Sequence, residues 1–181
     1  MKILIVSDSH GINGPLKETI QKESPGMLIH LGDAEFSQSE IASWAGAPKT
    51  PCVFVRGNCD IYSYDPSIVK NFAVFNLKGH RFYCTHGNRE RVNYGLLTLS
   101  LTAQEKGCDI VLFGHTHVPY DSFGDVVSSY GRYYGNDGYS SGPRILNPGS
   151  VSLPRGGSKR GYMIMDMEDD GRYEVRYCTI E

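Results

Sequence analysis

The chain has no long apolar run. Its start, "MKILIVSDSH", holds one lysine and four consecutive aliphatic residues before polar chemistry begins, too short for the apolar region of a signal peptide or for a membrane span. The expectation is a cytoplasmic protein with no membrane partner. It also lacks an excess of either charge: 18 Lys+Arg stand against 20 Asp+Glu, for a net charge of -2. No basic run is dense enough to follow a nucleic-acid backbone, so bulk nucleic acid is excluded as a partner. The five cysteines, Cys52, Cys59, Cys84, Cys108 and Cys178, are odd in number and show no C-x-x-C pairing, which argues against a disulfide framework, a zinc knuckle or a redox motif. Cys52, Cys84 and Cys108 lie in or beside apolar runs and read as small buried hydrophobes; Cys59 alone, in "RGNCD", keeps polar company. No G-x-S-x-G elbow surrounds Ser7 or Ser9, so the serines beside Asp8 read as turn residues rather than nucleophiles.

What the chain does have is a repeated grammar, a short apolar run that ends abruptly in polar residues. "KILIVS" runs into "DSH", "GMLIHL" into "GD", "CVFV" into "RGNCD", "RFYCT" into "HG", "DIVLF" into "GHTH" and "RIL" into "NPGS". Runs that are apolar throughout predict strands buried on both faces. Helical segments separate the early ones. Pro15 suits a first helical turn before "LKETIQKE", Ser37 and Glu40 form an S-x-x-E capping box before "IASWA", and a longer helix is expected over 92–106, closed by Gly107. "AVFNLKGHRFYCT" predicts a hairpin turning at Lys78-Gly79. With 181 residues, against a usual ~150 per domain, the expectation is one domain over 1–181, an α/β layered fold that is parallel early and more antiparallel late.

In layered sheets of this kind ligands bind outside the carboxyl ends of the strands. Those ends carry Asp8, His10, Asp33, Asn58, His86, His115 and His117, including four of the six histidines. A single strand-end histidine is best read as structural, as His30 is here, and His80 reads as an exposed hairpin residue. Four imidazoles at successive strand ends point instead to a metal centre. Seven O/N donors exceed what one ion takes from protein, but they suit two ions sharing a carboxylate at the ~3.5–4 Å spacing of dinuclear hydrolases. Imidazole with carboxylate and no thiolate suits Mn, Fe, Co, Ni or Zn better than Mg or Ca, with manganese, iron and zinc leading.

The blocks "DSH", "GD", "GNCD", "THG" and "GHTH", in this order and each after a predicted strand, resemble the calcineurin-like metallophosphoesterases. With "NPGSVSLPRGG", the chain resembles the YfcE-like bacterial phosphodiesterases in particular. The resemblance implies a four-layer αββα sandwich of two mixed β-sheets flanked by helices. It implies that Asp8, His10 and His117 hold one metal, that Asn58, His86 and His115 hold the other, and that Asp33 bridges them. The implied reaction is metal-assisted hydrolysis of a small phosphodiester with no covalent enzyme intermediate, in which Asp33, Asn58 and His86 belong to the catalytic centre. A phosphomonoesterase or nucleotidase, and a non-catalytic scaffold of the same fold, are the alternatives; the complete ligand set speaks against the scaffold. A homo-oligomer is left open.

Two departures stand out. Many relatives place a histidine after the asparagine, as phosphate contact and proton donor, with the next acidic residue orienting it; here those positions are Cys59 and Asp60. A thiol, with an ordinary pKa near ~8.5, is a poor substitute for imidazole as a proton donor. The tract 120–143, with five of the twelve tyrosines, reads as a Tyr/Gly-rich surface insertion.

Overall fold

The structure, a computed structural model, describes residues 1–60, 69–123, 127–128, 131–132 and 142–181. Among these residues, twelve strands and three α-helices follow one another as β1 (Lys2–Val6), α1 (Asn13–Glu23), β2 (Met27–His30), α2 (Gln38–Trp44), β3 (Cys52–Phe54), β4 (Phe72–Leu77), β5 (His80–Thr85), α3 (Leu97–Glu105), β6 (Ile110–Leu112), β7 (Pro119–Phe123), β8 (Val127–Ser128), β9 (Gly131–Arg132), β10 (Arg144–Pro148), β11 (Gly161–Met167) and β12 (Tyr173–Thr179). They build two five-stranded mixed sheets, ordered β12-β11-β1-β2-β3 and β4-β5-β6-β10-β7, while β8 and β9 pair with each other. In the first sheet β1, β2 and β3 are parallel and β11 and β12 antiparallel. In the second, β5, β6 and β10 are parallel, with β4 and β7 as antiparallel edges.

Strand alternation explains why the apolar runs are continuous. Ile3 and Ile5 point into a core between the sheets, where they join Ile29, Met163, Phe82, Cys84, Ile110 and Leu146. Leu4 and Val6, on the other face of β1, pack with Leu28 under Leu16 and Ile20 of α1 and Ile41 of α2. On the far side of the second sheet, Tyr83, Val111 and Ile145 pack against Leu99 and Ala103 of α3. The central strands of both sheets are thus buried on both faces, each interior aliphatic side chain contributing roughly 1.5–3 kcal/mol, and the layers stack as α, β, β, α.

The hairpin turns where expected, with Lys78 and Gly79 at φ 47° and 86°. Three expectations need correction. The stretch 92–106 is not one helix: a 3-10 turn over Val92–Tyr94 is cut off by Gly95, at φ 136°, before α3 begins. Ser37 stands at the N-cap of α2, but its hydroxyl engages Ser39 at 2.8 Å and makes no cap bond. His80 is half-buried rather than exposed, with Nδ1 on the Asp109 carboxylate and Nε2 2.9 Å from the Gly171 carbonyl. Of the tyrosine-rich tract, Pro119–Phe123 pairs with β10 as an edge strand; the reading of the rest as an insertion falls largely outside the described residues.

Candidate active site

Parallel β1, β2 and β3 in one sheet and β5 and β6 in the other end at the same rim, so the polar residues that follow them meet there. The loops are stitched together before any side chain acts: Asp8 N–H donates to Gly32 O at 3.1 Å, His10 N–H to Asp33 O at 2.9 Å and Gly114 N–H to His86 O at 3.0 Å. The "NPGSVS" segment clamps two loops at once. Ser150 Oγ donates to Asp8 O at 2.7 Å and Ser152 Oγ to Ser9 O at 2.7 Å, while Asn147 Nδ2 donates to Gly114 O at 2.8 Å.

Asp8, His10, Asp33, His115 and His117 all adopt left-handed backbone, with φ from 46° to 67°. Asp and His tolerate this conformation better than most residues, yet it costs of order 1–3 kcal/mol each and persists where the surroundings over-determine it. Two glycines permit the close approach. A Cβ on Gly57 would sit 2.0 Å from Asp33 Oδ1, and one on Gly114 would sit 2.0 Å from Ser7 Oγ and 2.9 Å from Asp8 Oδ2.

The side chains fall into two overlapping groups. Asp8, His10 and His117 can each offer a donor atom within 4.8 Å of the others, and so can Asp8, Asp33 and His86. Asp33 Oδ2 lies 3.9 Å from His10 Nε2 and 3.3 Å from His86 Nε2, so this carboxylate reaches both groups. Its other oxygen, Oδ1, is tied to the Cys59 N–H at 2.7 Å. Asp8 Oδ2 accepts the His115 N–H at 3.0 Å. Asp8 Oδ1 is buried without a hydrogen-bond partner, 3.2 Å from His117 Nε2, 3.9 Å from His10 Nε2 and 4.0 Å from His86 Nε2.

The outer partners of the imidazoles decide which nitrogen faces inward. His117 Nδ1 donates to Leu153 O at 2.5 Å, His86 Nδ1 to Leu31 O at 2.8 Å and His10 Nδ1 to Glu35 Oε1 at 2.6 Å. Each bond fixes the proton on Nδ1 and aims the Nε2 lone pair into the centre. His10 Nε2 and His117 Nε2 therefore face each other at 3.2 Å, and His86 Nε2 stands 3.3 Å from His115 Nδ1. Lone pairs turned toward one another around an unpartnered buried carboxylate oxygen make a cradle for cations. The donor set of imidazole, carboxylate and amide fits divalent transition ions.

Charge follows the same geometry. Burial works against the charged forms of Asp8 and Asp33, but the neighbouring imidazoles, His117 beside Asp8 and His86 beside Asp33, hold both carboxyls below their usual range. Burial also opposes the His86 cation, yet the Asp33 hydrogen bond and the charges of Asp8 and Asp33 push it up to about 9. Burial, then the charge of His86, lowers His115. The two carboxylates thus demand positive charge, which protons supply when no metal does.

Asn58 is exposed at the rim, with Nδ2 donating to Cys59 Sγ at 3.2 Å, which leaves Oδ1 for a ligand. Cys59 is exposed; partial burial and the neighbouring carboxylates, Asp33 first, push its thiol up to about 11. It also stands within 4.8 Å of donor atoms of His10 and Glu35, but a thiol held protonated is a weak ligand. Asp60 faces away from the open rim and is fully buried, accepting the N–H groups of Asp33 at 2.7 Å, Glu35 at 2.8 Å and Gly57 at 2.8 Å. It locks two of the loops together. His30, the last residue of β2, is buried, and burial lowers it to about 4; its Nδ1 accepts the Gly32 N–H at 3.2 Å.

Two residues that sequence reasoning passed over belong to this shell. Glu35 orients His10, and Asn93 places its amide 3.0 Å from His115 Nε2. Neither sits in a recognisable block. Only the spacing of Glu35, two residues beyond Asp33, hints at its place.

The calcineurin-like phosphoesterase superfamily domain matches residues 1–170. The chain is 31% identical over 173 residues to a probable metallophosphoesterase, YsnB, of Bacillus subtilis, covering 94% of this chain and 86% of that protein. It is 25% identical to the phosphodiesterase YfcE of Escherichia coli K12, covering 92% and 88%. A crystal structure from Streptococcus pneumoniae, described as a predicted phosphoesterase, superposes with a TM-score of 0.74 at 26% identity, covering 98% of this chain and 88% of that one.

Proposed function

Since this chain belongs to the calcineurin-like phosphoesterase superfamily, we propose that it hydrolyses a small phosphodiester at a centre of two divalent metal ions, manganese first among the candidates. The observation that carries the proposal is the unpartnered Asp8 Oδ1 among inward-facing imidazole nitrogens. Asp8, His10 and His117 would hold one ion and Asn58, His86 and His115 the other, with Asp33, whose Oδ2 faces both groups, shared between them. When bound, such ions acidify a coordinated water and neutralise phosphoryl oxygens.

The chain's own groups do the rest. Leu153 O, Leu31 O and Glu35 keep three imidazoles in the ligating tautomer. The Cys59 N–H and the Asp60 carboxylate hold Asp33 and its loop at a fixed distance from the "GN" loop. This is preorganisation of the kind that removes reorganisation cost from the reaction. Proton delivery to the leaving oxygen is the weak point, because a thiol pushed up to about 11 offers little acid at neutral pH. The preferred substrates therefore carry leaving groups that depart readily as anions.

The test is metal reconstitution. Chelator-stripped protein should be inactive on bis(4-nitrophenyl) phosphate and should recover with manganese. A leaving-group series should show a steep dependence that Cys59→His flattens and Cys59→Ala leaves in place. A hundredfold loss in Cys59→Ala with metal content intact would contradict this assignment.

A further inference from the structure

Beside Asn58 the rim opens into a small cleft of about 170 Å³, lined by Arg56, Gly57, Asn58, Asn71, Asn88 and Arg89, almost all of it polar. The cleft is smaller than the ~300–1,000 Å³ that holds a whole drug-sized ligand, so it suits one functional group of a molecule anchored elsewhere. Two arginines and three asparagines line it.

The arginines are poised by what their neighbours do. Arg56 and Arg89 each have a carboxylate close by in sequence, Asp60 in "RGNCD" and Glu90 in "NRE". Both acids turn inward. Asp60 spends its oxygens on backbone N–H groups, and buried Glu90 accepts Tyr83 Oη at 2.6 Å and Thr85 Oγ1 at 3.2 Å. Among the described residues neither guanidinium has an ion-pair partner, whereas Lys78, Arg144, Arg172 and Arg176 each have one. The contrast with a cleft of about 740 Å³ at the opposite end of the sheets is direct: there Lys78 and Arg172 are already paired to neighbouring aspartates.

We propose that the Arg56–Arg89 cleft is a subsite for a second phosphate group of the substrate, so that the phosphoester cleaved here carries a further phosphate. This rests on the metallophosphoesterase reading, because Asn58 is at once a wall of the cleft and a candidate ligand of the metal centre. A phosphate in the cleft would meet planar guanidinium forks, which bind it through paired charge-assisted hydrogen bonds, and amides that donate without competing for charge.

The experiment is equilibrium binding to the manganese-loaded full chain. Thymidine 5′-diphosphate and thymidine 3′,5′-bisphosphate, which offer two spacings of the second phosphate, are compared with thymidine 5′-monophosphate. One of the two should bind roughly 10- to 100-fold tighter than the monophosphate, the scale of one or two charge-assisted hydrogen bonds. Arg56→Ala/Arg89→Ala should erase that preference, and Arg172→Ala, at the far end, should keep it. If the double variant is poorly folded by circular dichroism, Arg89→Ala alone serves, since its side chain is exposed; it should cut the preference by at least about threefold. Equal affinity for all three nucleotides in the wild type, or a preference that survives the arginine variants, overturns the subsite. The readout is binding, so a wild type that fails to hydrolyse bis(4-nitrophenyl) phosphate would count against the proposed reaction and leave the subsite to be judged on its own data.

Discussion

The two ends of the sheets use the same residue types to opposite ends. At the rim away from the candidate site, between the β4–β5 and β11–β12 hairpins, Lys78 meets Asp169 at 2.8 Å, Arg172 meets Asp170 at 2.8 Å and His80 meets Asp109. Those aspartates are largely in solvent, and Lys78, Arg172 and His80 each have an acidic partner. At the carboxyl rim, Asp8, Asp33 and His86 are buried on left-handed or tightly apposed backbone, and carboxylate oxygens and imidazole nitrogens converge there with no lysine or arginine paired to them among the described residues. Histidines beside aspartates do not make a site. Burial, strained backbone and unsatisfied convergence together do.

The comparison breaks most visibly at Asp33. Asp33→Asn should lower turnover by orders of magnitude and reduce metal content, because it removes charge from the carboxylate that reaches both groups; metal analysis beside a rate assay checks both. His115→Ala and His117→Ala should be nearly as severe but should empty different positions, visible by anomalous scattering. Both variants emptying the same position would undo the ligand assignment.

Next in size is Gly57→Ala. A Cβ 2.0 Å from Asp33 Oδ1 must displace that carboxylate or its loop, and a misplacement of about 1 Å at a catalytic centre can cost ~10²-fold. The expected outcome is a loss of that order with the fold retained by circular dichroism.

A smaller effect concerns pH. His86 is raised from its ordinary 6.5 to about 9 in the metal-free chain, so its protonation stabilises the folded metal-free protein fully below about 6.5 and less as pH rises through about 9. Metal uptake displaces that proton and strengthens over the same range. The gap in melting temperature between manganese-loaded and metal-free protein should therefore widen from pH 6.5 to 9. A constant gap would mean that His86 is not the proton competed away. The smallest effect belongs to the far rim, where Arg172→Ala should leave activity and melting temperature unchanged within error.

Much of this was legible in the amino-acid pattern. The apolar runs of β1, β2, β5, β6 and β10 announced strands buried on both faces, and the polar residue after each run marked where the loops would meet. The turn at Lys78-Gly79 needed only local chemistry. What could not be read was in part a choice between competing local geometries and in part contacts distant in the chain. Gly95 ends a helical stretch because the backbone there turns to φ 136°, and the Ser37 hydroxyl takes Ser39 rather than the helix end. Strands β11 and β12 are visible mainly through their pairing with β1 and each other. The roles of Glu35 and Asn93 arise only once His10 and His115 are placed beside them. Asp60 stands where many relatives place an acidic residue that orients a histidine; here its oxygens hold backbone N–H groups.

The central claim is that both groups of inward-facing donors take a metal. Titration of chelator-stripped chain with manganese, followed by metal analysis after gel filtration and by activity at each point, tests it most directly. The account predicts two ions per chain and activity that rises with the second; full activity at one ion per chain, or in the presence of excess strong chelator, would contradict it.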